Sequence, residues 1–456
     1  MDSYLVHMED EELQYVVDNK IEERIVPHYS TEESYNLFER IVSNFIKNKH
    51  FIKKATVKGY NLMSTIFEDL FWQYCFNYTK YKKFINEYGL NHKILDPEGK
   101  WVYSGFSRIK RFLEGPPKIS EKNLLIHKIN FIRNTFKALI SDLIKGRKKI
   151  WVQNYLIDNF RFTSLENLVN KKDIRLINAM PSPNRKPTNE INKAISEEIH
   201  RKTSNYKWWI FAILLLKPKR IIVNDNLYDD YSILLAAKIM NVEIIGISHG
   251  MVSKFHRGQF GSKHVEKEKL LKFDKFYVWD QRFKDLLIKE GNIYESSNVR
   301  ISGFLNNINY PEVPNKRNKK YVLYPFEHLA NYNSIFEILH MFELEGYKIV
   351  IKSRPDMDNY GHFPRLNFEL VNEFKYQHFK EALCIVGSTT TLIFNLSTTG
   401  LPIVLSRDDG IDLLSGITMP NWEYFDKDFD VSTLPNELKK VRLKSQEKDF
   451  LREFLV

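Results

Sequence analysis

Apolar and polar positions change rhythm about a third of the way along the chain. Before residue 150, apolar residues recur every three or four positions. The stretch TEESYNLFERIVSNFIKN, from Thr31, pairs Thr31 with Glu33 as a helix-start signal. Residues 61–88 and 123–146 repeat the spacing and predict two more long helices, the last ending at Gly146. After residue 150, short apolar runs alternate with helical spacing. Strands are predicted in KKIWVQN, IRLINAM, PKRIIVND, VEIIGISHG, FDKFYVWD and NVRISGF. Helices are predicted over 161–172, 189–216, 229–241 and 281–291. Residues 305–320, LNNINYPEVPNKRNKK, have no period and read as a linker. A second alternation follows, with strands in YVLYPF, YKIVIKSRP, LCIVGS and LPIVLS and helices over 333–346, 367–382 and 390–400.

Strands this uniformly apolar imply parallel sheets covered on both faces. The fold class is therefore α/β, with two Rossmann-like doubly wound domains and a helical N-terminal extension. The expected division is a mostly helical part, 1–150, on the acceptor side; an acceptor-side Rossmann-like domain, 151–305; a donor domain, 306–435; and an amphipathic C-terminal helix, 436–456, with packing back on the N-terminal domain favoured over contact with a membrane.

Composition narrows the setting. The 456 residues exceed one compact core. The net charge of +11 suits polyanionic or phosphorylated partners. The lysines and arginines are scattered, so nucleic acid is not an expected partner. The two cysteines, Cys75 and Cys384, lie in apolar runs and offer neither a disulfide framework nor a zinc spacing. The N-terminus has no signal-peptide core, and the longest apolar run, Trp208 to Leu216, is far short of a bilayer span. A cytoplasmic protein is expected, with peripheral contact to the inner face of the cell membrane left open.

In doubly wound sheets ligands bind beyond the carboxyl ends of strands, where this chain carries its polar singletons. Ser388, Thr389 and Thr390 stand where a strand gives way to a helix, behind Gly387, which would permit close approach of the backbone to a bound phosphate. Such a helix start offers free N–H groups, a positive dipole end and hydroxyls to a phosphate, and simple N-capping would need only one hydroxyl. Lys352 and Arg354 end the preceding strand and suit the charge of a leaving phosphate. Glu327 follows the first strand of this half and suits ribose hydroxyls. In the earlier half, His249 follows a buried strand and suits proton abstraction from a hydroxyl. It opens a loop with His256, Arg257, Gly258 and Gly261, read as a flexible basic segment. Asp225, Asp229 and Asp230 end the neighbouring strand and are candidate bases or acceptor ligands, Asp225 and Asp229 first among them for catalysis, while Asp229 or Asp230 could instead cap the following helix. Their spacing matches no strong metal motif, so no metal site and no Mg2+ are expected.

In order and spacing, IIVND…IIGISHG, FYVWD…VRISGF, IVIKSRP and IVGSTTTLIFNLSTTGLPIV resemble GT-B glycosyltransferases of bacterial capsule and lipopolysaccharide synthesis. The polysialyltransferase-like and Kdo-transferase-like groups are nearest, with the CDP-glycerol polymerases of teichoic acid synthesis more distant. The resemblance covers about residues 150–430. It implies two domains facing a cleft, with a nucleotide-sugar donor on the second and no separate cofactor. A CMP-linked acidic sugar, Kdo or a nonulosonate, is the first choice of donor. The acceptor would be a hydroxyl of a glycan or glycolipid. By position, His249 takes the place of a catalytic histidine and Ser388–Thr390 that of the phosphate-binding helix start. Arg354-Pro355 stands where many relatives have His-Pro, which leaves the donor class open, because arginine stabilises charge but does not protonate. The alternatives are a CDP-glycerol-like polyol-phosphate transferase and a non-catalytic interaction protein of the same fold. The oligomeric state is left open.

Overall fold

The computed structural model describes residues 31–441 except 80–81, 83–103, 155, 157–173, 226–230, 249, 251–254, 304–309, 311–312, 316–317, 327–331, 354–365, 388–391, 407–418, 426–428, 436–437 and 440. The chain divides at Asn306 and Asn307 into two compact units.

The first unit opens with helix α1 (Thr31–Lys47). A short antiparallel ladder, Thr56–Val57 with Tyr60–Asn61, follows. The next stretch buries Leu62, Met63, Ile66, Phe67, Leu70, Phe71, Cys75 and Phe76, as its apolar spacing predicts. It is not one regular helix, however. It winds as a 3-10 turn (Leu62–Ile66), a single α turn (Phe67–Asp69) and a π-helical segment (Leu70–Phe76). Two side chains insert at its ends: Asn61 caps Met63 N–H, and Asn77 donates to the Trp72 carbonyl. Such insertions locally rewind a helix.

Helices α2 (Ser104–Glu114) and α3 (Glu121–Lys145) lead into a six-stranded sheet. Its elements are β1 (Ile150–Gln153), β2 (Ile174–Ile177), α4 (Ile191–Thr203), α5 (Tyr206–Leu216), β3 (Arg220–Asn224), α6 (Ser232–Ile239), β4 (Glu243–Ile247), α7 (Arg257–Phe260), β5 (Lys275–Val278), α8 (Gln281–Glu290) and β6 (Val299–Ile301). All pairings are parallel, in the order β2-β1-β3-β4-β5-β6. The direction of strand addition reverses between β1 and β3. The expected helix over 161–172 lies outside the described residues.

The early helical part is stitched to this sheet over long sequence distances. Ser64 Oγ donates to the Leu271 carbonyl at 2.6 Å, and Leu271 N–H donates to the Asn61 carbonyl at 3.0 Å. Gly258 N–H reaches Glu68 Oε2 at 2.9 Å, and Ser262 Oγ reaches Glu39 Oε2 at 2.7 Å. Lys202 pairs with Asp69.

The second unit holds β7 (Tyr321–Pro325), α9 (Tyr332–Leu344), β8 (Lys348–Lys352), β9 (Phe368–Val371), α10 (Tyr376–Lys380), β10 (Ala382–Gly387), α11 (Leu392–Ser397), β11 (Ile403–Ser406) and β12 (Trp422–Phe425). The sheet is again six-stranded and wholly parallel, in the order β9-β8-β7-β10-β11-β12. Every residue of β10 is buried. Val322, Ile335, Leu339, Ile351, Val386 and Val404 belong to one core cluster. The α/β class with two Rossmann-like parallel sheets is thus what the chain adopts. One element differs. Residues 367–382, expected as one helix, form the edge strand β9 and the short helix α10. Phe368, Val371 and Phe374 mimic helical spacing, but the free edge of β8 offers a hydrogen-bonding partner that local spacing does not register.

Candidate functional site

Both sheets have a topological switch point, and there the carboxyl ends of two neighbouring strands open a crevice. In the second unit β7 and β10 are neighbours, with Tyr321 opposite Ala382 and Leu323 opposite Ile385. Their connections run to opposite sides of the sheet order, giving the sequence order 3-2-1-4-5-6 of dinucleotide-binding folds. From Gly387, the last residue of β10, the chain runs directly into Ser388-Thr389-Thr390, and after β7 into Phe326-Glu327. Ser388, Thr389, Thr390, Glu327 and Arg354 lie outside the described residues.

Gly387 and Lys352 are described. Lys352 is the last residue of β8, in register with Pro325 and Val371. It is half-buried, and its carbonyl accepts from Phe326 N–H at 3.1 Å. Gly387 has a packing reason to be glycine. A Cβ there would meet Leu405 Cδ2 at 2.6 Å, Ile403 Cγ2 at 2.8 Å and Ile393 Cγ2 at 3.3 Å. The space in front of its Cα is filled by β11 and α11, so the close approach it permits is that of its own neighbours.

In the first unit the switch point lies between β1 and β3 and carries a buried polar layer. Asn224 N–H donates to Gln153 Oε1 at 2.8 Å, tying the two strand ends together. Asp225 N–H donates to the Ile247 carbonyl at 2.9 Å, and its carboxylate accepts from Gln259 Nε2. Ser248 N–H donates to the Tyr277 carbonyl at 2.8 Å, and its Oγ donates to the Gly250 carbonyl at 2.9 Å. Asp225 is only 9% exposed. Its neighbour Tyr294 titrates far above the ordinary tyrosine value, chiefly through burial and then through the Asp225 charge. His249 and Asp229 lie outside the described residues. The structure therefore joins Asp225 to Gln259, and its neighbour Asn224 to Gln153, two amides that sequence reasoning did not single out.

The loop read as flexible and basic is neither over Arg257–Gly261. Arg257 is buried, faces Glu39 at 3.7 Å, and lies over the rings of Tyr35 (4.9 Å) and Phe38 (5.4 Å). Burial lowers its pKa, with Tyr35 and Glu39 opposing. It serves as an internal tie, because a desolvated guanidinium is tolerable only when paired.

A cavity of about 360 Å³ lies beside the edge of this sheet, between α3, α5, β1 and the segment after β2. Phe131, Asn134, Trp151, Arg175, Asn178 and Trp209 are among its walls. Arg175 is neutralised by Asp142, and the Trp151 indole N–H has no hydrogen-bond partner among the described residues. Aromatic faces with amides around them suit a hydroxyl-bearing ring. No sequence motif marks this cavity, because its walls come from four separate stretches of chain.

No family model matches the chain, and no curated protein matches it. Among solved structures, the UDP-GlcNAc 2-epimerase of Methanocaldococcus jannaschii, in complex with UDP-GlcNAc and UDP, is similar at 13% identity and TM-score 0.40, over 67% of this chain and 98% of that one. The S. aureus MnaA–UDP structure is similar at 14% identity and TM-score 0.37, over 58% and 80%. The calicheamicin glycosyltransferase CalG4 is similar at 9% identity and TM-score 0.38, over 59% and 82%.

Proposed function

We propose that this protein is a nucleotide-sugar-dependent glycosyltransferase of GT-B architecture. The observation that carries the reading is the strand order of the second sheet. A 3-2-1-4-5-6 parallel sheet opens its crevice between β7 and β10. The sequence sends β10 into three consecutive hydroxyl residues at that point.

In this reading the donor phosphate sits on the N–H groups and hydroxyls of Ser388, Thr389 and Thr390. Arg354 and Lys352 neutralise the charge that grows on the leaving phosphate, and Glu327 accepts from ribose hydroxyls. The acceptor hydroxyl loses its proton to His249 and attacks the anomeric carbon as the bond to phosphate breaks. Asp225, engaged by Gln259 and nearly buried, orients the polar layer rather than moving the proton. Asp229 remains the alternative base. The acceptor is a glycan or glycolipid, whose sugar enters the cavity walled by Trp151 and Trp209. The donor of first choice is a CMP-linked acidic sugar, which the net charge of +11 favours.

A thermal-shift panel of CMP, CDP, UDP, GDP and TDP tests the donor site. A nucleotide at about 100 times its Kd stabilises the folded state by about 2.7 kcal/mol. That corresponds to a rise of several degrees in Tm. CMP is expected to give the largest rise, a CDP maximum would favour polyol-phosphate transfer, and no response to any nucleotide would reject the donor site.

A further inference from the structure

Helix α3 reverses the usual arrangement of a surface helix. Of its 25 residues the two buried ones are polar, Thr135 and Asp142. Six of its large apolar residues face outward: Leu125, Ile129, Phe136, Ile140, Leu143 and Ile144 are between 46% and 76% exposed. At about 100° of rotation per residue, these six fall within one arc of about 100°. They form a continuous stripe down the helix, roughly 28 Å long at 1.5 Å per residue. The Phe136 ring meets Phe211 of α5 at 5.9 Å, and Leu214 of α5 is also exposed, so the stripe widens onto that helix. Apolar surface of this extent marks an interaction face.

Charge identifies what covers it. Between residues 121 and 149 the chain carries Lys122, Lys128, Arg133, Lys137 and Lys145, then Arg147, Lys148 and Lys149. Against these stand two carboxylates, Glu121 and Asp142, and Asp142 is buried against Arg175. By the same rotation Lys122 and Arg133 fall inside the apolar arc and Lys137 at its border. Long cationic side chains there lay their stems on the apolar face and extend their charges past it. A second copy is a poor occupant, because a two-fold contact would press two such cationic faces together. An apolar stripe fringed by lysine and arginine is the composition of a helix lying in the surface of an anionic bilayer. No described helix is long and apolar enough to cross a membrane.

We propose that α3, joined by the exposed edge of α5, docks the protein on an anionic lipid surface, with the apolar stripe in the headgroup–acyl boundary and the basic fringe on lipid phosphates. The inference stands independently of the transfer chemistry, and it gives a glycolipid acceptor a reason to be within reach. The test is flotation of the full chain with neutral phosphatidylcholine vesicles and with vesicles containing about one third phosphatidylglycerol, the proportion being chosen to give a strongly negative surface. Expected is partition into the anionic vesicles at least about tenfold above the neutral ones, weakening with salt. Ile140→Glu combined with Leu143→Glu, both exposed, should abolish it while leaving Tm and the nucleotide response unchanged. Three results would overturn the proposal: no flotation of folded protein, flotation unaffected by the double substitution, or a concentration-dependent dimer that the substitution abolishes. The nucleotide panel is read on the same samples, so failure of the membrane face and failure of the donor site are seen separately.

Discussion

Glu198 offers a direct test of how the first unit is held together. Its carboxylate on α4 lies between two guanidiniums. Arg201 grips it through two donors, Nε to Oε2 at 3.0 Å and Nη2 to Oε1 at 2.5 Å. Arg185 approaches with Nε 3.0 Å from Oε2, within ion-pair distance but not aligned for a hydrogen bond. Arg185 also donates to the Leu113 carbonyl at 2.8 Å, at the carboxyl end of α2. All three side chains are at most 7% exposed. Replacing Glu198 by Gln keeps the shape but leaves two buried guanidiniums facing each other. Removing one partner of such a buried cluster costs about 3–5 kcal/mol. For a domain of this size that lowers Tm by roughly 6–20 °C. Burial alone would raise the Glu198 pKa, but the Arg201 contact and the charges of Lys202 and Arg185 outweigh it, so the carboxyl titrates below its ordinary value. Its contribution is therefore complete above the unfolded carboxylate pKa and is lost as pH falls through the lower folded value. Urea unfolding followed by tryptophan fluorescence, at pH 7 and in steps below pH 4.5, measures both effects. Wild type and Glu198→Gln should converge at the acid end. A variant within about 1 kcal/mol of wild type at pH 7 would refute the reasoning, since that is the scale of an exposed pair.

Gly387→Ala should destabilise the second unit by about 1–3 kcal/mol, the scale of overpacking, without weakening nucleotide binding by the folded fraction; calorimetry and titration separate the two. Ser388→Ala and Arg354→Met should each weaken nucleotide binding about tenfold or more, the scale of a hydrogen bond to a charged group, read by isothermal titration. Both cysteines are buried, and burial pushes the Cys75 thiol up. A thiol reagent should therefore find no rapid site in native protein and two in denaturant. Asn134→Leu, in the cavity wall, should raise the acceptor KM with little change in kcat if that cavity seats the acceptor sugar.

What the sequence made legible follows from where each element sits. Central strands such as β10 are covered on both faces, so they appear as unbroken apolar runs. The edge strands β9 and β12 are half-exposed and only four residues long. They leave no such run: the residues of β9 carry helical spacing, and those of β12 have no period of their own. The π-helical turn at Leu70–Phe76 kept the right residues inside, yet its winding is invisible to a period count. At the polar layer of the first unit, Asp225 was legible because it ends an apolar strand. Gln153 and Gln259 were not, since an isolated amide has no spacing signature and the fold alone brings them together. Arg257 shows the converse: basic residues between glycines look solvated in sequence, while the acid and rings that enclose Arg257, Glu39, Tyr35 and Phe38, lie about 220 residues away.

That last distance has a bearing on biogenesis. Ser64 meets the Leu271 carbonyl 207 residues further along, and every strand pairing in both large sheets is parallel, so no local hairpin shelters the early helices. On a ribosome adding about 5–20 residues per second, roughly 10–40 seconds pass before Leu271 follows Ser64. Through that interval Phe67, Leu70 and Phe71, fully buried at the end, have no sheet to cover them, and the nascent polypeptide is a natural client for a holding chaperone.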